Sequence, residues 1–477
     1  MTNDEEGSSR PNWKRYPFRL SESDEELVFP QAEGLQDGES NTWYVAGRLR
    51  GRSTGRLWAF LVVFTANDIH RRLRADFYTL ALFDIGTGDY GTFTELDFPK
   101  PPKIRRSYRL SAATDRLDLV FRSAAGNTSW THAHDEAGTA LPFAYRVNLR
   151  GRDDRGRAMH VDLELDTRKP PMPVGGEEYG GVKTCIGQFG THSYFQSDVC
   201  FRGTLVWGDV TEEVDGDSGW IDRQWARRYL GAYNDRRSSR YRHEWRQIHL
   251  DNGYEMSAWL QFDRHRHNRI IPFSGVTAAT RDGRVITTTA FEVDRLSYVR
   301  DPKHVRPLYS LTDGPAWLAD RYRLRVPEWE LDVVSDPLVP APAHAFPIEY
   351  WSGPTRIRGT MWGEPVGGIG FHERTRIFAR DFELVDVLRD TLRNLPADVF
   401  PPDGPGALES ANLVWEIDGF LSHDDREGAL RYLGDRIRPL LHRLASPHRE
   451  HVLVIAADLA AVILRWWVRP PGGETHA

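Results

Sequence analysis

The densest set of reactive side chains is Gly219-Trp220-Ile221-Asp222-Arg223-Gln224-Trp225, where a carboxyl, a guanidinium and an amide stand between two indoles. On a β-strand side chains alternate, so the pattern puts Trp220, Asp222 and Gln224 on one face and Ile221, Arg223 and Trp225 on the other. A buried carboxyl beside an indole has its charged form disfavoured and its pKa raised, which makes it a usable general acid near neutral pH. An Asp222–arginine latch that only holds two layers together would satisfy the same residues. His243-Glu244-Trp245 repeats the acid beside tryptophan about twenty residues on. On an adjacent strand it could face Asp222; alternatively Glu244 pairs with a cross-strand arginine, worth roughly 0.2–1 kcal/mol.

Other chemistries lack their residues. There is no Gly-rich phosphate loop, no Gly-x-Ser-x-Gly elbow and no His-Glu-x-x-His, so nucleotide, serine-hydrolase and zincin readings are unsupported. His265 and His267 alternate with Arg264 and Arg266, a pattern that more often marks a solvated edge than a metal pair. Cys185 and Cys200 are too few for a metal site or a disulfide framework and are expected to be free thiols. No metal or cofactor is expected.

The elements that must position these residues are mainly strands. Thr42–Arg50 and Leu57–Thr65 flank a Gly-bearing loop and read as a hairpin. Further strands are expected at Asp76–Ile85, Arg105–Ala112, Arg116–Ser123, Phe143–Gly151 and Ala158–Asp166. After a Pro/Gly-rich break at 169–176 come His192–Phe201, Gly203–Val210, and Tyr241–Leu250 joined through Asp251-Asn252-Gly253 to Tyr254–Asp263. Gly275–Thr280, Val285–Val293, Arg321–Val326, Leu331–Pro337, Ile348–Arg358 and Gly367–Thr375 continue the series. Short strands with turn signals and no interleaved helices imply antiparallel barrels or sandwiches. The period then changes to 3.6 residues, and helices are expected over Phe382–Leu395, Gly406–Phe420, Asp424–Ser446 and Pro447–Val468. In the last of these His451, Asp458 and Arg465 fall on one stripe, with apolar residues around the rest.

With 477 residues the chain exceeds what one core supports. The expected organisation is an arm over 1–40 that packs loosely and closes over a barrel end, β-domains over 41–235 and 236–378, and a helical extension over 379–477. An aromatic share of 12% suits large pockets for an apolar small-molecule substrate. A net charge of −6 with scattered arginines implies no nucleic-acid partner. Met1–Arg10 has no apolar core of a secretory signal, so a cytoplasmic product is expected. The last helix is too short and too charged to span a membrane. It is read as packing on the barrels or forming a homodimer, with peripheral membrane contact through Trp466-Trp467 as an alternative.

The ordered series Trp43-Tyr44-Val45-Ala46-Gly47, Ser193-Tyr194-Phe195, Gly203-Thr204-Leu205, Gly219–Trp225, Trp245 and Leu250-Asp251-Asn252-Gly253 resembles the CrtC/AttH lipocalin-like family. Tyr350-Trp351-Ser352-Gly353-Pro354 and Gly368–Thr375 are similar to its closing strands. The resemblance covers residues 40 to 378 and omits the helices and the Asp282–Pro315 connection. It departs from the pattern where Ala226-Arg227-Arg228 follows Trp225, since relatives often carry Gly there. It implies two lipocalin-like β-domains around an apolar isoprenoid or polyene. The family includes carotenoid 1,2-hydratases and polyene Diels–Alder cyclases. By the same resemblance Asp222 is the acid that protonates an alkene, oriented by Arg223 and Gln224, with Glu244 a further candidate. Trp43, Tyr44, Tyr194, Trp220, Trp225, Trp245 and Trp351 would line the substrate, the indoles stabilising a cation through their π faces. A cyclase that needs no acid and a non-catalytic carrier of apolar ligands are the rival readings.

Overall fold

The computed structural model describes residues 11–20, 27–38, 40–70, 73–97, 109–175, 182–185, 189–226, 241–263, 266, 268–271, 274–300, 317–340, 342–344, 350–375, 383–396 and 405–465. The protein is mainly β, with two curled antiparallel sheets and helices mostly at the C-terminal end. It forms two compact units, residues 1–234 with 246–258 and 273–289, and residues 235–245 with 259–272 and 290–477.

In the first unit eleven strands follow one path: β1 (Ser40–Gly51), β2 (Leu57–His70), β3 (Leu73–Asp84), β4 (Asp89–Asp97), β5 (Leu110–Ala112), β6 (Asp118–Ser123), β7 (Gly126–His134), β8 (Ala140–Arg152), β9 (Ala158–Thr167), β10 (Phe189–Trp207) and β11 (Val210–Ala226). Their order across the sheet is β4-β3-β2-β1-β11-β10-β9-β8-β7-β6-β5. Every neighbour is thus a sequential hairpin partner except one, the β1–β11 closure, which brings the two ends of the meander's chain together. That closure seats Gly219–Trp225 between β1 and β10. In β2, Trp58, Phe60, Val62 and Phe64 point into the core, while Ala59, Leu61 and Val63 on the other face are also buried. A strand covered on both sides reads as the unbroken apolar run seen in the sequence.

The strand pairing at β11 depends on two glycines. Gly219 stands opposite Gly47, and a Cβ on either would lie 2.2–2.3 Å from the ring of Phe201. The pair leaves a notch that the Phe201 ring fills. The sequence reading ended one strand at Phe201 and began another at Gly203, whereas β10 runs unbroken over Phe189–Trp207. Gly203 is there because a Cβ would come within 2.0 Å of the Asp162 carbonyl oxygen, a close approach and not a turn.

The second sheet carries β12 (Tyr241–Leu250), β13 (Glu255–Asp263), β14 (Gly275–Ala279), β15 (Val285–Thr288), β16 (Glu292–Arg300), β17 (Trp317–Val326), β18 (Leu331–Pro337), β19 (Tyr350–Met361) and β20 (Glu364–Thr375). Val285–Val293, read as one strand, is two. Strands β16 to β20 form a continuous antiparallel meander. Four helices follow: α1 (Leu384–Arg393), α2 (Pro405–Ser422), α3 (Arg426–Arg443) and α4 (His448–Arg465). Their apolar faces join Tyr298, Trp317, Ala319 and Tyr322 of the sheet in one core. The polar stripe of α4 docks it: Asp458 accepts from Arg300 Nε at 2.7 Å and from Trp317 Nε1 at 3.0 Å, and His451 meets the Trp317 ring edge-on. Expected features at Arg105–Tyr108, His265, His267 and Trp466-Trp467 lie outside the described residues.

Candidate functional site

Over Gly219–Ala226 every residue of β11 except the half-buried Gln224 is buried, and the two faces differ in chemistry. On one face Trp220, Asp222 and Gln224 lie opposite Ala46, Tyr44 and Thr42 of β1, and Phe195 and Ser193 of β10 flank Asp222 and Gln224 from the other side. Asp222 is 4% exposed and accepts a hydrogen bond from Ser193 Oγ at 3.1 Å. The Trp220 ring packs 5.2 Å from Phe195 and takes the edge of His249 at 5.7 Å. Burial, and after it the charge of Lys169, depress the His249 pKa to about 3, so the imidazole is neutral near pH 7.

Lys169, at the start of the Pro/Gly-rich break, belongs to the same electrostatic neighbourhood. Its ammonium donates to the Gly253 carbonyl at 2.8 Å and to Glu255 Oε2 at 2.5 Å, and both side chains are buried. Desolvation raises the Glu255 pKa to about 7 against the pull of that ammonium. A carboxyl that is half protonated at neutral pH, with a fixed cationic neighbour, is suited to give and retake a proton. The sequence reading missed both residues. They lie 86 positions apart in a loop and just after an Asn-Gly turn, and no spacing rule joins them.

On the opposite face Arg223 is 1% exposed. Its guanidinium lies 4.2 Å over the Trp43 ring and 5.1 Å from that of Trp225. Nη2 donates to the Gly34 carbonyl and to Asn41 Oδ1, both at 2.6 Å, while Nη1 reaches the Gln224 and Thr42 carbonyls. Burial lowers its pKa to about 9, countered by the nearby Tyr194 and Asp222. Arg223 therefore ties β11 to the start of β1 and to Gly34 in the segment before it, and Ser193 donates to Asp222. Trp43 fixes the same segment through Nε1 on the Glu33 carbonyl at 2.8 Å.

That segment carries a polar cluster the sequence reading also missed. The Glu33 carboxylate, 1% exposed, accepts from Tyr145 at 2.6 Å and from Tyr16 at 3.1 Å. His132 Nε2 stands 2.7 Å from it, out of line for a hydrogen bond. Burial, then Glu33, holds the Tyr145 hydroxyl well above its ordinary pKa, so it stays a donor. Tyr16 belongs to residues 11–20, whose Trp13, Tyr16 and Phe18 rings all pack on Phe143. Tyr194 and Trp225 join Phe29 and Phe143 in this apolar group. The cluster joins Tyr16 and Glu33 to His132 and Tyr145, which face each other across the β7–β8 pair, and the 112 positions between Glu33 and Tyr145 are why spacing gave no signal.

The remaining expected residues lie in the second unit. Glu244 accepts from Arg295 Nη2 at 3.1 Å, both side chains buried; it is an ion pair with an arginine, but β12 and β16 are not neighbours in the sheet, so it is not the cross-strand pair expected. Its strand and the Asp222 strand are not sheet neighbours, since β11 pairs with β1 and β10, a correction to the adjacency expected above. Trp245 is buried, and Trp351 lies under the Arg374 guanidinium at 4.0 Å. Among the described residues no three His, Cys, Asp or Glu side chains group as metal ligands. Cys200 is a free thiol.

Two solved structures share the fold. One, assigned as an AttH protein of Nitrosomonas europaea, is 18% identical with a TM-score of 0.52, covering 75% of this chain and 99% of its own. The other, kievitone hydratase from Nectria haematococca, is 14% identical with a TM-score of 0.50, covering 76% of this chain and 98% of its own. No curated protein sequence matches the chain. The AttH-like family model matches residues 21–375, a span that holds both faces of β11, the Lys169–Glu255 pair and Glu33 with His132 and Tyr145, and the chain belongs to the AttH-like family.

Proposed function

We propose that this protein is a hydratase-like enzyme that protonates a double bond of an apolar isoprenoid or polyene. The observation that carries the reading is Glu255, a buried carboxyl held at a pKa of about 7 beside Lys169. In the proposed step Glu255 gives its proton to an alkene carbon, water attacks the resulting cation, and the oxonium proton returns to the carboxylate. Phe195 and Trp220, packed together in the same unit, are the rings suited to stabilise the cation. Asp222, held by Ser193, is the second candidate donor. The fold-level likeness to a protein named kievitone hydratase supports addition of water over other fates of the cation.

The test is turnover of candidate polyenes in deuterated water by the wild type, Glu255→Gln and Asp222→Asn. Deuterium at carbon in the product, with turnover lost in Glu255→Gln, is expected. Full activity of Glu255→Gln removes it as donor, and loss confined to Asp222→Asn moves the role there. A cyclised product free of solvent deuterium would favour the pericyclic reading, and ligand returned unchanged would favour a carrier.

A further inference from the structure

Two buried side chains beside Glu255 carry hydrogen-bonding atoms that bond nothing among the described residues. Gln247 of β12 is fully buried, and neither its Oε1 nor its Nε2 has a partner. His249, two positions on, is buried too, and its Nε2 is likewise without one. The hairpin places both on the face that carries Glu255. Leu250 N donates to the Tyr254 carbonyl at 2.9 Å, and counting back from that pair along β12 and β13 sets His249 opposite Glu255 and Gln247 opposite Ser257. Lys169 and Arg168 act electrostatically on both His249 and Glu255, as that register requires. The Trp220 ring, 5.7 Å from His249, and Phe195 packed against it bring apolar surface to the same side. All of these residues belong to the first unit.

An amide buried with both ends unbonded destabilises a fold, and proteins break that rule where the group serves something other than folding. We propose that Gln247 and His249 anchor a hydroxyl of the substrate, so that the molecule Glu255 acts on is an apolar alcohol and not a pure hydrocarbon. The inference rests on the reading of Glu255 as the proton donor and names the substrate class for it. A hydroxyl donates to the Gln247 Oε1 and accepts from an N–H, and it meets the His249 Nε2 in either tautomer of the neutral ring. A carboxylate fits less well, because neither Gln247 nor the neutral His249 supplies a charge against it. Gln247 and Glu255 are diagonal neighbours across the strand pair, and such residues stand about 7–8 Å apart. The hydroxyl is therefore separated from the protonated carbon by a distance of that order.

The experiment compares the binding of two probes, geranylgeraniol and the hydrocarbon of the same chain that lacks its hydroxyl, by quenching of tryptophan fluorescence in full-length wild type, Gln247→Met and His249→Phe. A purely apolar pocket favours the hydrocarbon, because the alcohol gives up hydrogen bonds to water. Wild type is expected to bind the alcohol at least about ten-fold more tightly than the hydrocarbon, Gln247→Met to reverse that order, and His249→Phe to weaken it with hydrocarbon binding unchanged. Methionine matches glutamine in length and needs no partner, so Gln247→Met should also raise the thermal midpoint of the ligand-free protein. A lower midpoint shows the amide bonded within the fold and overturns the proposal. So does a wild type that binds both probes alike, prefers the hydrocarbon or binds neither, and so does a Gln247→Met variant that keeps the preference for the alcohol. Because the assay reads binding and not turnover, it can fail while proton transfer by Glu255 holds, and succeed where Glu255→Gln keeps full activity.

Discussion

Glu255 should make the stability of the first unit depend on pH in an unusual direction. Burial raises its pKa from 4.5 to about 7 in the folded protein, so the folded state holds the proton more tightly than the unfolded chain. The stabilisation is fully present below about pH 4.5 and is lost as pH rises through about 7, opposite to a carboxylate whose pKa folding depresses. The gap of about 2.5 units, at ~1.36 kcal/mol per unit, corresponds to about 3 kcal/mol. Urea unfolding of wild type and Glu255→Gln from pH about 4.5 to about 8, read as the difference between the two proteins, isolates this contribution from every other titration. Wild type should lose about 3 kcal/mol relative to the variant across that interval. Because Lys169 lowers the Glu255 pKa, Lys169→Met should shift the loss to higher pH. Parallel curves for wild type and Glu255→Gln would refute the assignment of Glu255 as a neutral-pH acid.

Gly219→Ala should destabilise by about 1–3 kcal/mol, because its Cβ would meet the Phe201 ring in a packed core; an unchanged thermal midpoint would count against the notch. Arg223→Met removes the guanidinium donor from the Gly34, Thr42 and Gln224 carbonyls and from Asn41 Oδ1, which keeps the Gln36 N–H, and should cost about 3 kcal/mol by denaturant midpoint. Asp458→Ala removes the bonds to Arg300 and Trp317 and should cost about 1–3 kcal/mol, with a change in fluorescence as the surroundings of Trp317 loosen; an unaltered spectrum and midpoint would speak against the docking role.

The sequence made the all-β body, the Asn-Gly hairpin and the helical end legible, because each rests on local rules. The turn at 251–253 needs a residue with positive φ, and Gly253 adopts φ 86°. Leu331–Pro337 was bounded correctly since turn formers close both ends. Strand β4 escaped notice because its side chains are only partly buried, and β7 because two of its three buried side chains, Thr128 and His132, are polar. Two-sided burial of β11 separated Asp222 from Arg223 as alternation required, yet the residues that meet each could not be read. Ser193 reaches Asp222 through strand pairing, and Gly34 and Asn41 reach Arg223 across more than 180 positions. The Lys169–Glu255 and Glu33 groups are products of tertiary closure, where distance along the chain carries no information about contact.

The Phe201 ring lodged between Gly47 and Gly219 has one further consequence. Side chains on a strand repeat every two residues, so slipping β11 by a single position would exchange its faces and carry Asp222 to where Arg223 now sits. The slip would also bring Trp220 or Ser218 against the ring in place of a bare backbone. One phenylalanine thus works as a register key, and it decides which side of the sheet receives the carboxyl and which the guanidinium.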